Sequence, residues 1–234
     1  MEKQFNQIWE SIAKDLKEAI ITGEIKPGQR LKIEEITARY GVSNTPVREA
    51  FRYLASQGFV ENIPRKKVIV KEITLKEIEN IYAIHTVLEG LAARLAAQHC
   101  GEKEFKKFED LYHRMEKYLQ ENNIVNYMHA DKEFHGSFIH FSGNEILVPM
   151  AENLSSRIAR FRFMTLRFPR RAKESLNEHK KILDALKARE PEVAEKEMKS
   201  HILVSSEYLK KILKEGDSLN SFPEAMKLPF KERR

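Results

Sequence analysis

Hydrophobic residues recur at helical spacing along most of the chain. Near the N-terminus they stand three or four positions apart, at Phe5, Ile8, Ile12, Leu16 and Ile20. This spacing predicts a helix over residues 5–22, and shorter patterns predict helices over about 33–39 and from Ser43 to Gly58. Two β-rich runs in FVENIPRKKVIV then predict a hairpin. Helix, helix, turn, helix and hairpin is the order of a winged helix-turn-helix.

A second set of helices begins at the capping box formed by Thr74 and Glu77. The stretch 71–73 before it is the predicted boundary between two domains, residues 1–72 and residues 74–214. Beyond the boundary the pattern predicts only helices, near 75–99, 103–121, 124–141, 145–167, 171–189 and 191–214. Residues 215–234 are predicted to form a loosely ordered tail. We therefore predict a mostly α protein, with an N-terminal winged helix-turn-helix and a C-terminal all-α bundle of about six helices.

Composition narrows the class of protein only a little. The chain has 234 residues, of which 41% are hydrophobic, which is enough to build a core in each domain. Its single cysteine, Cys100, excludes an internal disulfide and favours the cytoplasm. No run of about 18 apolar residues is present, so we expect no membrane partner. The net charge of +6 permits a polyanionic partner without requiring one.

The third predicted helix has two chemically different faces. One face carries three apolar residues: Val47, Phe51 and Leu54. The opposite face carries three polar ones: Thr45, Arg48 and Arg52. A helix fits the major groove of DNA, where arginine and threonine can hydrogen-bond to bases or phosphates. Lys66 and Lys67 of the hairpin would add contacts to phosphates or to the minor groove. Amphipathicity alone leaves open that this is an ordinary solvated face.

The segment ITGEIKPGQRL followed by YGVSNTPVREAFRYLASQGFVENIPRKKVIV resembles the DNA-binding domain of the GntR family of bacterial transcription regulators. The resemblance covers about residues 8–72. It implies DNA contacts at Asn44, Thr45, Arg48 and the hairpin tip near Lys66. The family usually has arginine where this chain has Asn44, and glycine near the hairpin tip, where this chain has Arg65 and Lys66. These departures bear on the operator sequence that is read.

Four polar residues of the later helices occupy positions where the pattern calls for apolar ones. They are Asp131, His135, His179 and His201. Burying an unpaired carboxylate costs several kcal/mol or more, and a neutral imidazole also needs partners. A single divalent metal ion would satisfy all four together, and three imidazoles with one carboxylate suit Zn, Ni or Mn. The alternative is that each histidine is a core residue with its own partners.

The later helices resemble the all-helical FCD effector domain of the FadR-like branch of the same family, notably in DKEFH, SGN and ESLNEHKKILDALKAREPEVAEKEMKSHI. The resemblance covers about residues 74–214. It implies a divalent metal held by Asp131, His135, His179 and His201, and a small carboxylate effector bound nearby. The family usually has arginine where this chain has His85.

Two arginines of the fourth helix of this set, Arg157 and Arg162, are candidates for binding the effector. They flank the apolar stripe of Leu154, Ile158 and Phe161, and the guanidinium group matches the geometry of a carboxylate. The alternative is that both arginines are simply solvated.

These features predict a cytoplasmic, homodimeric transcription regulator, a repressor, that binds a pseudo-palindromic double-stranded DNA operator and a small organic acid. One alternative keeps the DNA binding but makes the metal purely structural. Another is a helical-bundle metalloenzyme, which we set aside because Glu133 and Glu178 project about 100° away from the neighbouring ligands on their helices. No catalytic residue is predicted.

Overall fold

The computed structural model describes residues 2–63 and 67–215. They form two compact units, the first ending at Thr74 and the second spanning Leu75–Glu215. The predicted tail lies outside the described residues from 216 onward, and so does Lys66 of the hairpin. Within the described part of the chain, no helix is both long and apolar enough to cross a membrane.

The first unit contains three helices and a small antiparallel sheet. In chain order the elements are α1 (Glu2–Ile21), β1 (Arg30–Leu31), α2 (Ile33–Tyr40), α3 (Asn44–Ser56), β2 (Val60–Ile63) and β3 (Lys67–Val70). The strand order is β1-β3-β2, with Arg30 opposite Ile69 and Asn62 opposite Val68. Strand β1 was not predicted from the sequence, because two residues are too short to show a period.

Local sequence explains how α3 is placed. Gly41 ends α2 in the left-handed conformation, with φ of 64°, which glycine adopts without steric cost. Ser43 then takes the predicted N-cap position in an extended conformation, although its side chain makes no capping hydrogen bond. The apolar face of α3 is buried in the core of this unit, where Val47 and Leu54 are fully inaccessible to solvent. The polar face is thereby left in solvent.

The second unit is entirely helical. Its elements are α4 (Leu75–His99), α5 (Glu102–Gln120), α6 (Ile124–Phe141), α7 (Leu147–Leu166), α8 (Pro169–Lys187) and α9 (Pro191–Lys214). Each begins and ends within a few residues of its predicted bounds. The predicted fold class, a winged helix-turn-helix followed by an all-α bundle of about six helices, is confirmed.

Helix α4 lies at the centre of the packing in the second unit, because α9, α6 and α7 all pack against it. Gly90 allows a close approach of α9: a Cβ atom at this position would lie 2.7 Å from Cε of Lys199. Buried polar side chains from α4, α6, α8 and α9 also meet in the interior of this unit. The candidate metal centre lies there.

Candidate metal centre and nucleic-acid interface

The predicted DNA-binding residues of α3 are all exposed: Asn44, Thr45, Arg48 and Arg52. Asn44 and Thr45 form the first turn of the helix, the part that reaches base edges when such a helix enters a major groove. Arg52 forms an ion pair with Glu49, with Nη1 2.7 Å from Oε1. Lys67 begins β3, and Lys66 lies outside the described residues. That these residues contact DNA remains a prediction.

In the second unit, three buried histidines converge from three helices. Ligand atoms of His135, His179 and His201 lie within 4.8 Å of one another. Nε2 of His135 is 3.2 Å from Nε2 of His179, which is 3.4 Å from Oδ1 of Asp131. The four side chains that the sequence singled out as metal ligands therefore lie together, although the binding of an ion remains a prediction.

Two further carboxylates support the outer edges of this cluster. Nδ1 of His135 donates a hydrogen bond to Oε2 of Glu89. Nδ1 of His201 donates to Oε2 of Glu178 at 2.6 Å. The second oxygen of Glu89 lies 2.6 Å from Nε2 of His85. Each carboxylate fixes the orientation of an imidazole, which is the usual role of groups bonded to metal-binding histidines.

These hydrogen bonds also decide where the protons are. An ionised carboxylate can only accept, so His135 and His201 each donate Nδ1–H to it, which leaves Nε2 of each as the atom that could bind a cation. Nε2 of His135 lies at hydrogen-bond distance, 3.2 Å, from Nε2 of His179, and the carboxylate of Asp131 is buried beside them. A cation at this position would be attracted by that carboxylate.

The pKa shifts of His179, His201 and Glu89 agree with a role of this cluster in metal binding. Burial, reinforced by the neighbouring His201 and His135, holds the pKa of His179 well below its usual value. Burial also lowers the pKa of His201, more than Glu178 raises it. Burial opposes ionisation of Glu89, but the interactions with His135 and His85 outweigh it and hold the pKa of Glu89 well below its ordinary range. His179 and His201 are therefore neutral near pH 7, as metal binding requires.

The spacing of these donors suits a divalent metal ion. Zinc holds imidazole nitrogens at about 2.1 Å, so two of its ligands in a tetrahedral site lie roughly 3.4 Å apart. The separations of 3.2 Å and 3.4 Å around Nε2 of His179 are close to that value. The donor set of three imidazoles and one carboxylate also suits nickel or manganese. The residues present thus fit the group that the sequence predicted.

A small cavity of about 20 Å³ adjoins the cluster and is lined by Asp131, His135, His201 and Arg162, among others. Nε of Arg162 lies 2.7 Å from Oδ2 of Asp131 as an ion pair, although Oδ2 accepts no hydrogen bond from the described residues. Arg157 is half-buried on α7 and is not among the described residues that line this cavity. Effector binding by Arg157 and Arg162 remains a prediction.

Arg171 supports the cluster from the side of α8 and was not predicted from the sequence. Its side chain is completely buried and holds both oxygens of Glu178, with Nη1 3.0 Å from Oε1 and Nη2 2.8 Å from Oε2. Nη2 also donates to Oγ of Ser205 at 2.9 Å. Burial alone would raise the pKa of Glu178, but the hydrogen bonds from His201 and Arg171 hold it below its ordinary value.

The sequence interpretation of Glu178 concerned only its own helix, on which it projects about 100° away from His179. Helix α9 brings His201 to the other side of Glu178, at 2.6 Å. Glu133, which was set aside on the same ground, is exposed and pairs with Arg114 at 2.8 Å. The spacing of His85 and Glu89, four residues apart, was the signal that could have identified Glu89.

A winged helix-turn-helix with an exposed polar recognition face, followed by a helical unit with a buried ligand cluster, defines a DNA-binding transcription regulator. The chain belongs to the GntR family of bacterial regulatory proteins. The gntR family model matches residues 9–70 and the FCD domain model matches residues 80–203. The resemblance deduced from the sequence is thus confirmed for both parts of the chain.

Relatives and solved structures agree with this assignment. The chain is 29% identical to the HTH-type transcriptional regulator YdhC of Bacillus subtilis, over 86% of this chain and 90% of that protein. It is 26% identical to the HTH-type transcriptional repressor RspR of Escherichia coli, over 90% of each. The solved structure of McbR/YncC from E. coli superposes with a TM-score of 0.75 at 23% identity, covering 88% of this chain and 98% of that one. This last similarity concerns the fold alone.

Proposed function

We propose that this regulator is a repressor whose operator affinity changes when a small carboxylate binds beside a divalent metal ion in the second unit. The convergence of His135, His179, His201 and Asp131, with Arg162 paired to Asp131, is the observation that carries the proposal. The relative RspR is named a repressor, which supports repression over activation as the effect on transcription. Because it acts on bacterial genes, we assign the protein to the cytoplasm.

For DNA binding, we assign base or phosphate contacts to the exposed residues of α3 and to the hairpin: Asn44, Thr45, Arg48, Arg52, Lys66 and Lys67. Arg48 is the decisive one, because it is exposed one turn into the helix and arginine pairs bidentately with guanine. In mobility-shift titrations Arg48→Ala should weaken specific operator binding by about 10- to 100-fold. Arg170→Ala, an exposed arginine of the second unit, is the control. Unchanged specificity in Arg48→Ala would contradict the assignment.

We further propose a homodimer formed through the exposed face of α4. Ile84, Val87 and Leu91 are exposed apolar residues one turn apart on that helix, and Leu203 and Val204 of α9 are exposed as well. A two-fold axis would bury the same patch of both copies and would match a pseudo-palindromic operator. The double substitution Ile84→Glu with Val87→Glu should yield a monomer in analytical ultracentrifugation. Persistence of the dimer would exclude this face.

For the metal, the three histidines and Asp131 would supply the ligands, and Glu89 and Glu178 would hold two of the imidazoles in place. A bound divalent ion would supply positive charge that attracts an acid. Purified protein should contain close to one equivalent of a divalent ion by elemental analysis, and His179→Ala should lose it. His113→Ala, an exposed histidine, is the control. Equal metal contents in the two variants would refute the site.

For the effector, Arg162 is the first candidate, because it is paired with the candidate metal ligand Asp131 and lines the same cavity. Arg157 is a second candidate. The cationic metal should attract the anionic acid, so each should strengthen the binding of the other, and by the same factor. Calorimetric titration of small carboxylates with and without metal tests this. Equal acid affinities in the two forms would contradict the coupling.

A second candidate function is a regulator with a purely structural metal and no effector. The cavity volume of only about 20 Å³ favours it, because that is room for a single water-sized group without rearrangement. Measuring operator affinity in the presence of carboxylates distinguishes the two functions. Carboxylates that stabilise the metal-loaded protein should also change its operator affinity if it is a sensor, and no carboxylate should do so if the metal is structural. For either function we propose no catalytic activity, since the relatives are transcription regulators.

A further inference from the structure

Asn44 and Arg48 lie on one side of α3, one helical turn apart. Both side chains are exposed, and no residue among 2–63 and 67–215 forms a hydrogen bond or ion pair with either of them. Arg52, one turn further along the helix, differs from Arg48, because its Nη1 lies 2.7 Å from Oε1 of Glu49. The amide of Asn44 and the guanidinium of Arg48 are therefore available to a partner, whereas the guanidinium of Arg52 is engaged.

The packing of α3 fixes the direction in which Asn44 and Arg48 project. Val47, Ala50 and Leu54 are fully buried in the core of the first unit, so the helix cannot turn about its axis without exposing them. Asn44 is the first residue of the helix, the end that reaches base edges when such a helix enters a major groove. Side chains placed on a rigid helix are held precisely enough to distinguish one base from another.

The two side chains match different bases. The asparagine amide has a donor and an acceptor, which match N7 and the N6 amino group of adenine in the major groove. The guanidinium has donors only, and these match O6 and N7 of guanine. The hydroxyl of Thr45 can bond to several bases and so defines none of them.

We propose that Asn44 is a specificity-determining residue, which reads an adenine within about two base pairs of the guanine read by Arg48. The inference rests on the proposed function, because it takes α3 to enter the major groove of an operator. Four residues of helix span about 6 Å, and base pairs are stacked about 3.4 Å apart, which sets the distance between the two bases. In a two-fold symmetric operator, the adenine and the guanine occur once in each half-site.

A contact from Asn44 to a phosphate is the main alternative. It would strengthen binding to every DNA sequence alike, because phosphates carry no sequence information. It would use only the donor of the amide and would not depend on N7 of any adenine. The two kinds of contact therefore respond differently when one acceptor atom is removed from a base.

The test removes single acceptor atoms from the DNA. An operator is first selected with the full-length protein from a library of randomised double-stranded DNA. Each adenine and guanine of one half-site is then replaced in turn by its 7-deaza analogue, which keeps the base pairing but has carbon in place of N7. Mobility-shift titration should show about tenfold weaker binding at one adenine, the cost of losing a bidentate contact, and at a guanine within about two base pairs of it. If no adenine near a sensitive guanine is itself sensitive, the role of Asn44 is overturned.

Two variants of α3 assign the sensitive adenine to a side chain. Asn44→Ala removes the amide, so adenine and its 7-deaza analogue should bind equally well at that position, while the guanine stays sensitive. Arg52→Ala, at an exposed arginine of the same helix, should leave both positions sensitive. An adenine that stays as sensitive in Asn44→Ala as in the wild type would overturn the proposal.

These outcomes distinguish this proposal from the proposed function. If an operator is selected and shows a sensitive guanine but no sensitive adenine beside it, operator binding by α3 stands and the role of Asn44 fails. If the library yields no preferred sequence, both fail. The comparison of DNA analogues on the wild-type protein needs no variant, so it decides the question even if Asn44→Ala does not fold.

Discussion

The carboxylate of Glu89 joins two histidines of different helices: Oε1 lies 2.6 Å from Nε2 of His85, and Oε2 accepts from Nδ1 of His135. One buried group therefore sets the tautomer of a candidate metal ligand and of a cavity-lining residue. Metal and effector binding should both depend on it.

Glu89→Gln should reduce metal affinity by about 10- to 100-fold, the usual cost of losing a group that orients a metal-binding histidine. The amide nitrogen of glutamine cannot accept from an imidazole N–H, so one of the two histidines must change its tautomer. Competition with a chromophoric chelator measures the affinity. Glu133→Gln, at an exposed carboxylate of α6, should leave it unchanged. Matching losses in both variants would show that Glu89 has no special role.

Arg171 and Arg170 are adjacent in sequence, but the first side chain is buried and the second is exposed. Comparing their substitutions therefore tests how much the buried ion pair contributes to the stability of the fold. The side chain of Arg171 is fully buried against Glu178, whereas that of Arg170 is 90% exposed and pairs with Glu174. Arg171→Met should lower the free energy of unfolding by about 3 kcal/mol, because it leaves a largely buried carboxylate without its cation. Arg170→Met should cost less than about 0.5 kcal/mol. Urea denaturation measures both, and similar values would contradict the structure.

Cys100 offers a probe of the folded state, because it is the single cysteine of the chain. Burial, aided by Glu104, raises the pKa of its thiol from 9.0 to about 11. Each pKa unit lowers the thiolate fraction about tenfold at neutral pH, so alkylation by iodoacetamide at pH 8 should be at least about 100-fold slower in the folded protein than in urea. The folded rate should keep rising up to about pH 11. Mass spectrometry measures the rates, and equal rates in buffer and urea would show that the thiol is accessible.

Gly90 tests the close packing of α4 against α9. A Cβ atom there would meet the flexible side chain of Lys199, at 2.7 Å from both Cγ and Cε. Gly90→Ala should be nearly neutral, because Lys199 can turn aside and alanine favours the helix by about 1 kcal/mol. Gly90→Leu should lower the unfolding free energy by about 1–3 kcal/mol through overpacking. Thermal unfolding checks the order of the two variants. Should leucine be tolerated as well as alanine, the close approach would be refuted.

The candidate centre shows where sequence reasoning ends. Asp131, His135, His179 and His201 could be found because polar residues at apolar positions of a helix are conspicuous in one dimension. Glu178 and Arg171 could not, since their roles depend on which helix packs beside them. Their partners, His201 and Ser205, come from α9. A helical period says which side of a helix faces inward but not which neighbouring helix it meets there.

The sequence by itself determined the helices, the hairpin and the inward faces, because these follow from local hydrophobic periodicity and turn residues. It also determined the family, through motifs whose order and spacing are fixed along the chain. Tertiary structure alone decided that Glu89 joins His85 to His135, that Arg162 pairs with Asp131, and that Nδ1 of His85 has no hydrogen-bond partner among the described residues. The physical reason is that hydrogen bonds between helices depend on their packing to within a few tenths of an ångström, and no one-dimensional pattern encodes that distance.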